Sequence, residues 1–496
     1  MYKACLLPLL ILVLATLPLL AQKPAQPQRI ELELDPEKTE VEVMATADSS
    51  LLVYTRTQGS WATKPIFEFS KFNYQLEPQW SKKVELYQQS RYMAHYSAPS
   101  YTYVVLSGEK RHDFQFLKLD QQTGAVTKRE LRIDAIDSVY VFKVLDDNYF
   151  LVSRSAKDGS PMLLHLNERS GEVKPLPAAY GTESTFSDIL AHHPQHQVSV
   201  VMSESNGRVS RLQTKLFDTG GTLLGNYFIL PRPDKRPLAA EATPGDTTQR
   251  LLIGTYTNRN LNYATGFFTV PVTSDGSDAR FYSFLQLKNF FKHMKPRREE
   301  RLRKREVARL ETGKEPALQY RVLLHDVYPT SEGYILTAEI YFPESGNSNY
   351  TRIYTITGGI ANVPKRYRRT QAIALGFDRE GILLWDNSFP LKDLESHELK
   401  PTVEVVTDQA GNVVMAHPGS ESNSEIFYQY MHQDTYIDEE TKFSILPKDA
   451  DAKILSNSVS GIISWYGLNF AAFGWHRVKF PGSEARSVFY LNKVAF

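Results

Sequence analysis

The chain has 496 residues, 57 of them Lys or Arg and 56 Asp or Glu, so the near-neutral balance builds in no overall attraction to nucleic acid. Its single cysteine, Cys5, lies in the apolar leader, which excludes disulfides and cysteine-based metal sites from everything that follows. With 27 Tyr and 26 Phe, there is ample material for packing sheets against one another.

Residues 1–21 read as a secretory signal. Lys3 gives a thin positive start, Leu6 to Leu20 form an apolar run broken by Pro8, Thr16 and Pro18, and the small Ala21 precedes Gln22-Lys23. The run is short for a membrane span, and its prolines argue further against a retained anchor. Cys5 comes too early to be a lipid-bearing cysteine after such a run. The expectation is an exported protein (periplasmic, outer-envelope or extracellular) with a linker at 22–28 and one domain at 29–496.

From there the chain repeats. Phe72-Asn73, Leu119-Asp120, Leu166-Asn167 and Phe217-Asp218 each end a strand-like segment before a turn bearing Gly or Pro, at intervals of 47, 47 and 51 residues. Short strands at this period predict propeller blades. The unit from Thr185 to Leu230 is the clearest: Phe186 to Ala191, Val198 to Met202, Val209 to Phe217 and Leu223 to Leu230 alternate with three tight turns. The unit before it has the same plan, with Val139 to Leu145, Tyr149 to Ser153, Met162 to Leu166 and Val173 to Leu176. Gly124 and Gly171 each stand four residues after Asp120 and Asn167, which predicts left-handed backbone there without any ligand.

Later units are longer. Leu251 to Tyr256 and Gly266 to Val272 belong to a fifth, Tyr320 to Val327 through Ile382 to Trp385 to a sixth, and Val403 to Val406 through Lys442 to Leu446 to a seventh. A last set reads Ile454-Leu455, Ile462 to Tyr466, Phe470 to Phe480 and Ser487 to Leu491. The fold class predicted is all-β, a propeller of eight four-stranded antiparallel blades, with seven the alternative count. Ile30 to Leu34 is expected to pair with the final unit and close the ring, removing exposed sheet edges.

The stretch Ala374-Leu375-Gly376-Phe377-Asp378-Arg379-Glu380-Gly381-Ile382-Leu383-Leu384-Trp385 resembles the blade repeat of quinoprotein-type propellers, with an Asp, a Gly and a Trp seven residues after the Asp. Asn73 and Trp80 keep that separation, while Thr127, Lys174 and Gly225 replace the Trp elsewhere. The segment ending Trp385-Asp386-Asn387-Ser388-Phe389 also resembles uncharacterised secreted bacterial proteins. The likeness implies the architecture and no chemistry. The vicinal cysteines often found in quinoproteins are absent and no calcium-ligand set is evident, so no cofactor is expected.

Between about 285 and 318 the alternation gives way to helical spacing. Phe284, Leu287, Phe291 and Met294 mark one apolar face, Pro296 restarts the run, and Arg297 to Leu310 reads as a charged helix ended by Gly313 and Pro316. Lys288 to Lys314 holds eleven Lys or Arg against four Asp or Glu. This basic insertion reads as a solvated helix packed through its aromatics, as an attachment to an anionic surface such as lipid headgroups, or as a docking helix for an envelope protein. Its candidate contact residues are Arg297, Arg298, Arg301, Arg303, Lys304 and Arg305. A second basic run, Lys365 to Arg369, follows an insertion at Glu344 to Pro364. Nucleic acid is not an expected partner of an exported chain.

Candidate chemistry is sparse. His192, His193 and His196 lie in a turn without accompanying Cys or acidic ligands, so no metal site is expected. His325-Asp326 ends an apolar strand, where an inward His beside a carboxylate suits acid–base work or a satisfied polar pair. Asp188, Asp326, Glu339 and Glu404 all fall in strand-like segments that could face a central channel. Glycan cleavage needs two such groups to converge. No phosphate loop or nucleophile elbow is present. The leading expectation is an exported, non-catalytic binding or scaffolding propeller of the cell envelope. The alternative is an envelope glycan hydrolase or lyase using His325, Asp326 or Glu339. Carboxylates clustered at the central opening would favour the enzyme, and an apolar or loosely polar channel the binding module.

Overall fold

Eight four-stranded antiparallel sheets follow one another along the chain, and each is a blade of a closed propeller. The computed structural model describes residues 24–59, 63–177, 184–205, 210–245, 249–344, 353–354, 360–361, 366–419, 425–436, 441–448, 451, 453–479 and 481–496. The leader at 1–21, the turn at 206–209 and most of the 344–364 insertion therefore lie outside the described residues.

Blade 1 runs from Thr39–Ala45 to Pro78–Val84, and blade 4 from Thr185–His192 to Leu223–Ile229. The count is eight, and the alternative of seven falls. The ring closes as expected: Arg29–Leu32 supplies the outermost strand of blade 8, pairing Arg29 with Asn492 and Leu32 with Phe489. Closure satisfies the backbone edge that Arg486–Ala495 would otherwise present to solvent.

Two segments differ from the expectation. Ile454-Leu455 and Ile462 to Tyr466 are not separate strands, because Lys453–Ser464 is one continuous inner strand with register shifts at Ile454/Ser456 and Val459/Gly461. Those bulges interrupt the side-chain alternation that reads as a strand break. The segment after Phe284 is not an amphipathic helix either. Phe284–Gln286 is a short 3-10 turn, and turns continue to Met294 before the helix α1, Pro296–Glu311. The Asp386 carboxylate accepts the backbone N–H groups of Lys288 and Asn289, both at 2.7 Å, which holds this stretch out of helical register. Phe284, Leu287, Phe290 and Phe291 are all buried. At about 2 kcal/mol or more for each such side chain, the segment belongs to the core and is no appendage.

The buried apolar side chains described form eight clusters, one at each interface between neighbouring blades. The last turn of a blade repeatedly meets the blade before it. Gly124 has φ +70° and sits against Trp80 of blade 1, so closely that a Cβ would come 2.7 Å from the indole. Gly221 meets His165 and Leu176 in the same way, and Gly381 meets Thr269. Left-handed backbone and close approach together require glycine at these points. Trp385 of the quinoprotein-like stretch instead lies over Gly376 of its own blade.

Candidate functional site at the mouth of the ring

The first strand of each blade is innermost, and these strands adjoin their neighbours around most of the ring. Several carry bulges: the pairing skips Ser187 in blade 4, Leu238 in blade 5, and His325-Asp326 in blade 6. A bulge turns a side chain that would lie in the pleat toward a new direction. In blades 4 and 6 the residues at or beside the bulges line a cavity of about 890 Å³, and Glu241 of blade 5 joins them three residues beyond its bulge.

Four consecutive blades each contribute a carboxylate to that cavity: Asp188, Glu241, Asp326 and Glu404. Asp188 Oδ2 accepts the Ala242 N–H at 3.0 Å, tying blade 4 to the strand end of blade 5 beside Glu241. Glu404 Oε2 accepts the N–H and hydroxyl of Ser464, each at 2.8 Å, and so faces blade 8. Lys143 and Arg154 add positive charge from blade 3, and Lys143 lies 5.2 Å above the Tyr96 ring.

Burial pushes the Asp188 carboxyl up to about 6, with the Ala242 N–H opposing the rise and the Asp326 charge adding to it. Glu241 is held well above the usual carboxylate range, first by burial and then by Asp188 and Asp326. Glu241 therefore holds its proton more tightly than an ordinary carboxyl. The Tyr328 hydroxyl is raised by burial and by Asp326 and Glu404.

The sequence candidates separate. Asp326 is exposed to the mouth, and buried His325 also borders it. Glu339 does not reach the mouth. It accepts from Arg369 Nε at 2.8 Å, from the Thr402 and Val403 N–H groups at 2.7 and 2.8 Å, and from the Thr402 hydroxyl at 2.9 Å. His325 Nε2 lies 3.1 Å from the same carboxylate. With its lone pairs occupied, Glu339 is a structural anchor for the linker into blade 7, and it holds His325 with it. Glu241 is not among the expected channel carboxylates. One signal points to it: it stands 53 residues after Asp188, close to one blade period.

The three histidines of the 192–196 turn go to different partners: His192 to Ser199 at 2.8 Å, His193 to the Tyr96 hydroxyl at 3.0 Å, and His196 to Asp146 at 2.5 Å. Among the described residues, no group of three or more His, Cys, Asp or Glu is disposed to hold a metal ion.

On α1, Arg297, Arg298, Arg301, Lys304 and Arg305 are exposed. Arg303 is not an outward contact. It bonds Glu299 at 2.9 Å and the carbonyls of Leu285, Leu287 and Lys288 at 3.0, 2.8 and 2.9 Å, and it covers the Phe291 ring at 4.9 Å. It therefore fixes the helix to the preceding turns. Arg305 pairs with buried Glu306, whose other oxygen accepts the Ala317 N–H at 2.7 Å. In the second basic run, Arg366 and Arg368 pair with Glu395 and Glu344, and Arg369 is buried. Lys365 lies outside the described residues. No helix among the described residues is long and apolar enough to cross a membrane.

No protein-family profile matches the chain, and no curated protein is similar to it. Among solved structures, the apo form of prolyl oligopeptidase B from Galerina marginata is similar over 90% of this chain and 56% of its own, at 8% identity and a TM-score of 0.41. A cobalt-substituted apocarotenoid oxygenase from Synechocystis is similar over 48% of this chain and 60% of its own, at 7% identity and a TM-score of 0.33. This chain thus spans less than two thirds of either. At such TM-scores neither likeness carries an argument, and the class, defined by this chain's own sheets and mouth, is the eight-bladed β-propeller with an acidic central opening.

Proposed function

We propose that this protein is an exported binding module of the cell envelope whose ligand seats in the central mouth. The observation that carries the reading is the convergence of Asp188, Glu241, Asp326 and Glu404, from four consecutive blades, on one cavity. Several carboxylates around one cavity, one of them with a raised affinity for its proton, suit a ligand bearing both amines and hydroxyls, such as an amino sugar. A propeller is a rigid frame for such a site, because each group rides on a paired strand and not on a free loop. Carboxylates gathered at the opening are the outcome expected of the glycan-cleaving alternative and weigh toward it. The binding reading is retained because Asp188 and Glu404 are each already held by hydrogen bonds from Ala242 and Ser464, and its contact moves from the helix to the mouth.

A second reading is favoured by one feature, the Glu241 carboxyl, whose hold on its proton is strengthened by burial and by Asp188 and Asp326. A carboxyl kept protonated next to a carboxylate is the arrangement by which glycan-cleaving enzymes supply a general acid and its partner. Titration calorimetry with glucosamine oligosaccharides tests both. Saturable binding lost in Asp188→Asn and Asp326→Asn supports the binding module, and shortened oligosaccharides detected by mass spectrometry support the enzyme. No heat of binding from the folded wild type would defeat the amino-sugar assignment.

A further inference from the structure

A second cavity, of about 530 Å³, lies beside α1, well apart in sequence from the mouth residues of blades 3 and 4. Arg298, Arg301 and Arg305 line it from one flank of the helix, where spacings of three and four residues bring side chains together. The Tyr320 ring lines it too, and its hydroxyl makes no hydrogen bond with any described residue. Burial and then the Glu306 charge raise that hydroxyl, against the opposing Arg298 and Arg305 charges, so the hydroxyl lies within reach of both guanidiniums and of Glu306. Arg298 and Arg301 have no carboxylate partner among the described residues. Arg305 has one, Glu306, but the carboxylate is buried while the arginine side chain stays 64% exposed.

Met294, Leu302, Ala317, Leu318 and the partly exposed Phe342 give the cavity an apolar lining beside these donors, with Gln319 among them. No acidic side chain lines the cavity. A site with three guanidiniums beside hydrocarbon and no acidic side chain in its lining is complementary to an anionic head carrying an apolar tail. A bare phosphate would leave the apolar lining unused, since the cavity holds far more room than such an ion fills. An acidic peptide would have its backbone polar groups over Leu302 and Leu318 with nothing there to satisfy them.

We propose that this groove seats the phosphate headgroup and first acyl carbons of an anionic lipid, docking the ring on an acidic membrane surface. The inference is independent of what occupies the mouth. It also divides the basic helix: Arg298, Arg301 and Arg305 hold the lipid, Arg303 holds the helix, and Arg297 and Lys304 lie outside the groove.

Co-sedimentation with phosphatidylcholine vesicles, with and without phosphatidylglycerol, tests this. The wild type should sediment only with the acidic vesicles. Each of Arg298→Ala, Arg301→Ala and Arg305→Ala should weaken the association about fivefold, the worth of one well-placed cation at an anionic surface. Phe342→Ser, which leaves the charge unchanged, should weaken it as well by removing part of the apolar lining. The Arg297→Ala/Lys304→Ala double variant should change it less than any single groove variant. An equal or larger loss in that double variant would show diffuse attraction and overturn the groove. So would a wild type that ignores acidic vesicles, or one that binds inorganic phosphate but no vesicle.

Discussion

Arg369 and Glu339 form an ion pair of 2.8 Å in the interior of blade 6, both side chains without solvent exposure. The guanidinium also donates to the carbonyls of Tyr367 and Lys400, at 2.9 and 2.7 Å, so the pair ties the blade to the linker that leads into blade 7. Replacing one partner leaves the other charged and buried. Glu339→Gln is therefore expected to destabilise the protein by about 3–5 kcal/mol. Replacing both by methionine should cost less, since the uncompensated charge disappears with its partner. Urea unfolding of the three variants checks this. Unchanged stability in Glu339→Gln, with loss of ligand binding alone, would return Glu339 to the site.

The mouth should be unstable where it is useful. Asp188 is raised from 3.8 to about 6, which by itself costs on the order of 2–3 kcal/mol at neutral pH. Asp188→Asn keeps an oxygen for the Ala242 N–H and removes the charge. The variant is expected to melt higher than the wild type at pH 7 and to bind its ligand worse. A lower melting temperature would mean that Asp188 is there for stability.

The pH profile follows from two opposite shifts. The Asp188 carboxyl binds its proton more tightly folded than unfolded, so its penalty is complete above about 6 and fades as pH falls toward 3.8. Glu339 is the reverse: burial alone would raise it, but His325 and the Val403 and Thr402 N–H groups hold it down to about 2 from 4.5. Its contribution is complete above 4.5 and is lost as pH falls from there toward 2. Stability should therefore rise from pH 7 to about 5 and drop below about 4. Melting temperatures across that range give the curve, and Asp188→Asn/Glu241→Gln should flatten its upper limb.

Gly124→Ala should fail for two separable reasons. Left-handed backbone costs a residue with a Cβ about 1–2 kcal/mol, and overpacking against the Trp80 indole adds about 1–3. In a Trp80→Ala background only the first part should remain. A double-mutant cycle on unfolding free energies measures the difference. Full additivity would show that the indole and the glycine do not bear on each other.

Removing Arg29–Leu32 should open blade 8. The deletion takes away Arg29, whose guanidinium lies 3.0 Å from His476 Nδ1 and 4.6 Å from the centre of the Tyr490 ring. It also uncovers the edge of Arg486–Ala495. The truncated protein is expected to associate through that edge, visible as larger species by light scattering. A monomer of unaltered stability would contradict the closure.

The ring was legible in the sequence because its grammar is local. Asp120 with Gly124 and Asn167 with Gly171 mark left-handed turns one blade apart, and the φ values of +70° and +75° at those glycines follow directly. What joins blades was less legible. Glu241 sits in a short strand between Pro237 and Pro244, where the bulge at Leu238 hides the alternation. Its meeting with Asp188 and Asp326 depends on how far each blade turns about the axis, which no local pattern records. The turns from Phe284 to Met294 misled for the opposite reason. Their apolar spacing is helical, but nearly every large side chain there is buried, and Asp386 from almost a hundred residues away sets the backbone.

The seam between Arg29 and Asn492 joins positions 463 residues apart. Bringing two such points together from a free coil would cost roughly 5 kcal/mol in chain entropy. Assembled in order, each finished sheet carries the next around, so that toll shrinks to the gap between neighbours. On that order the ring stays open until Arg486–Ala495 is in place to pair with Arg29–Leu32. Synthesis and refolding are then both expected to finish on that one pairing.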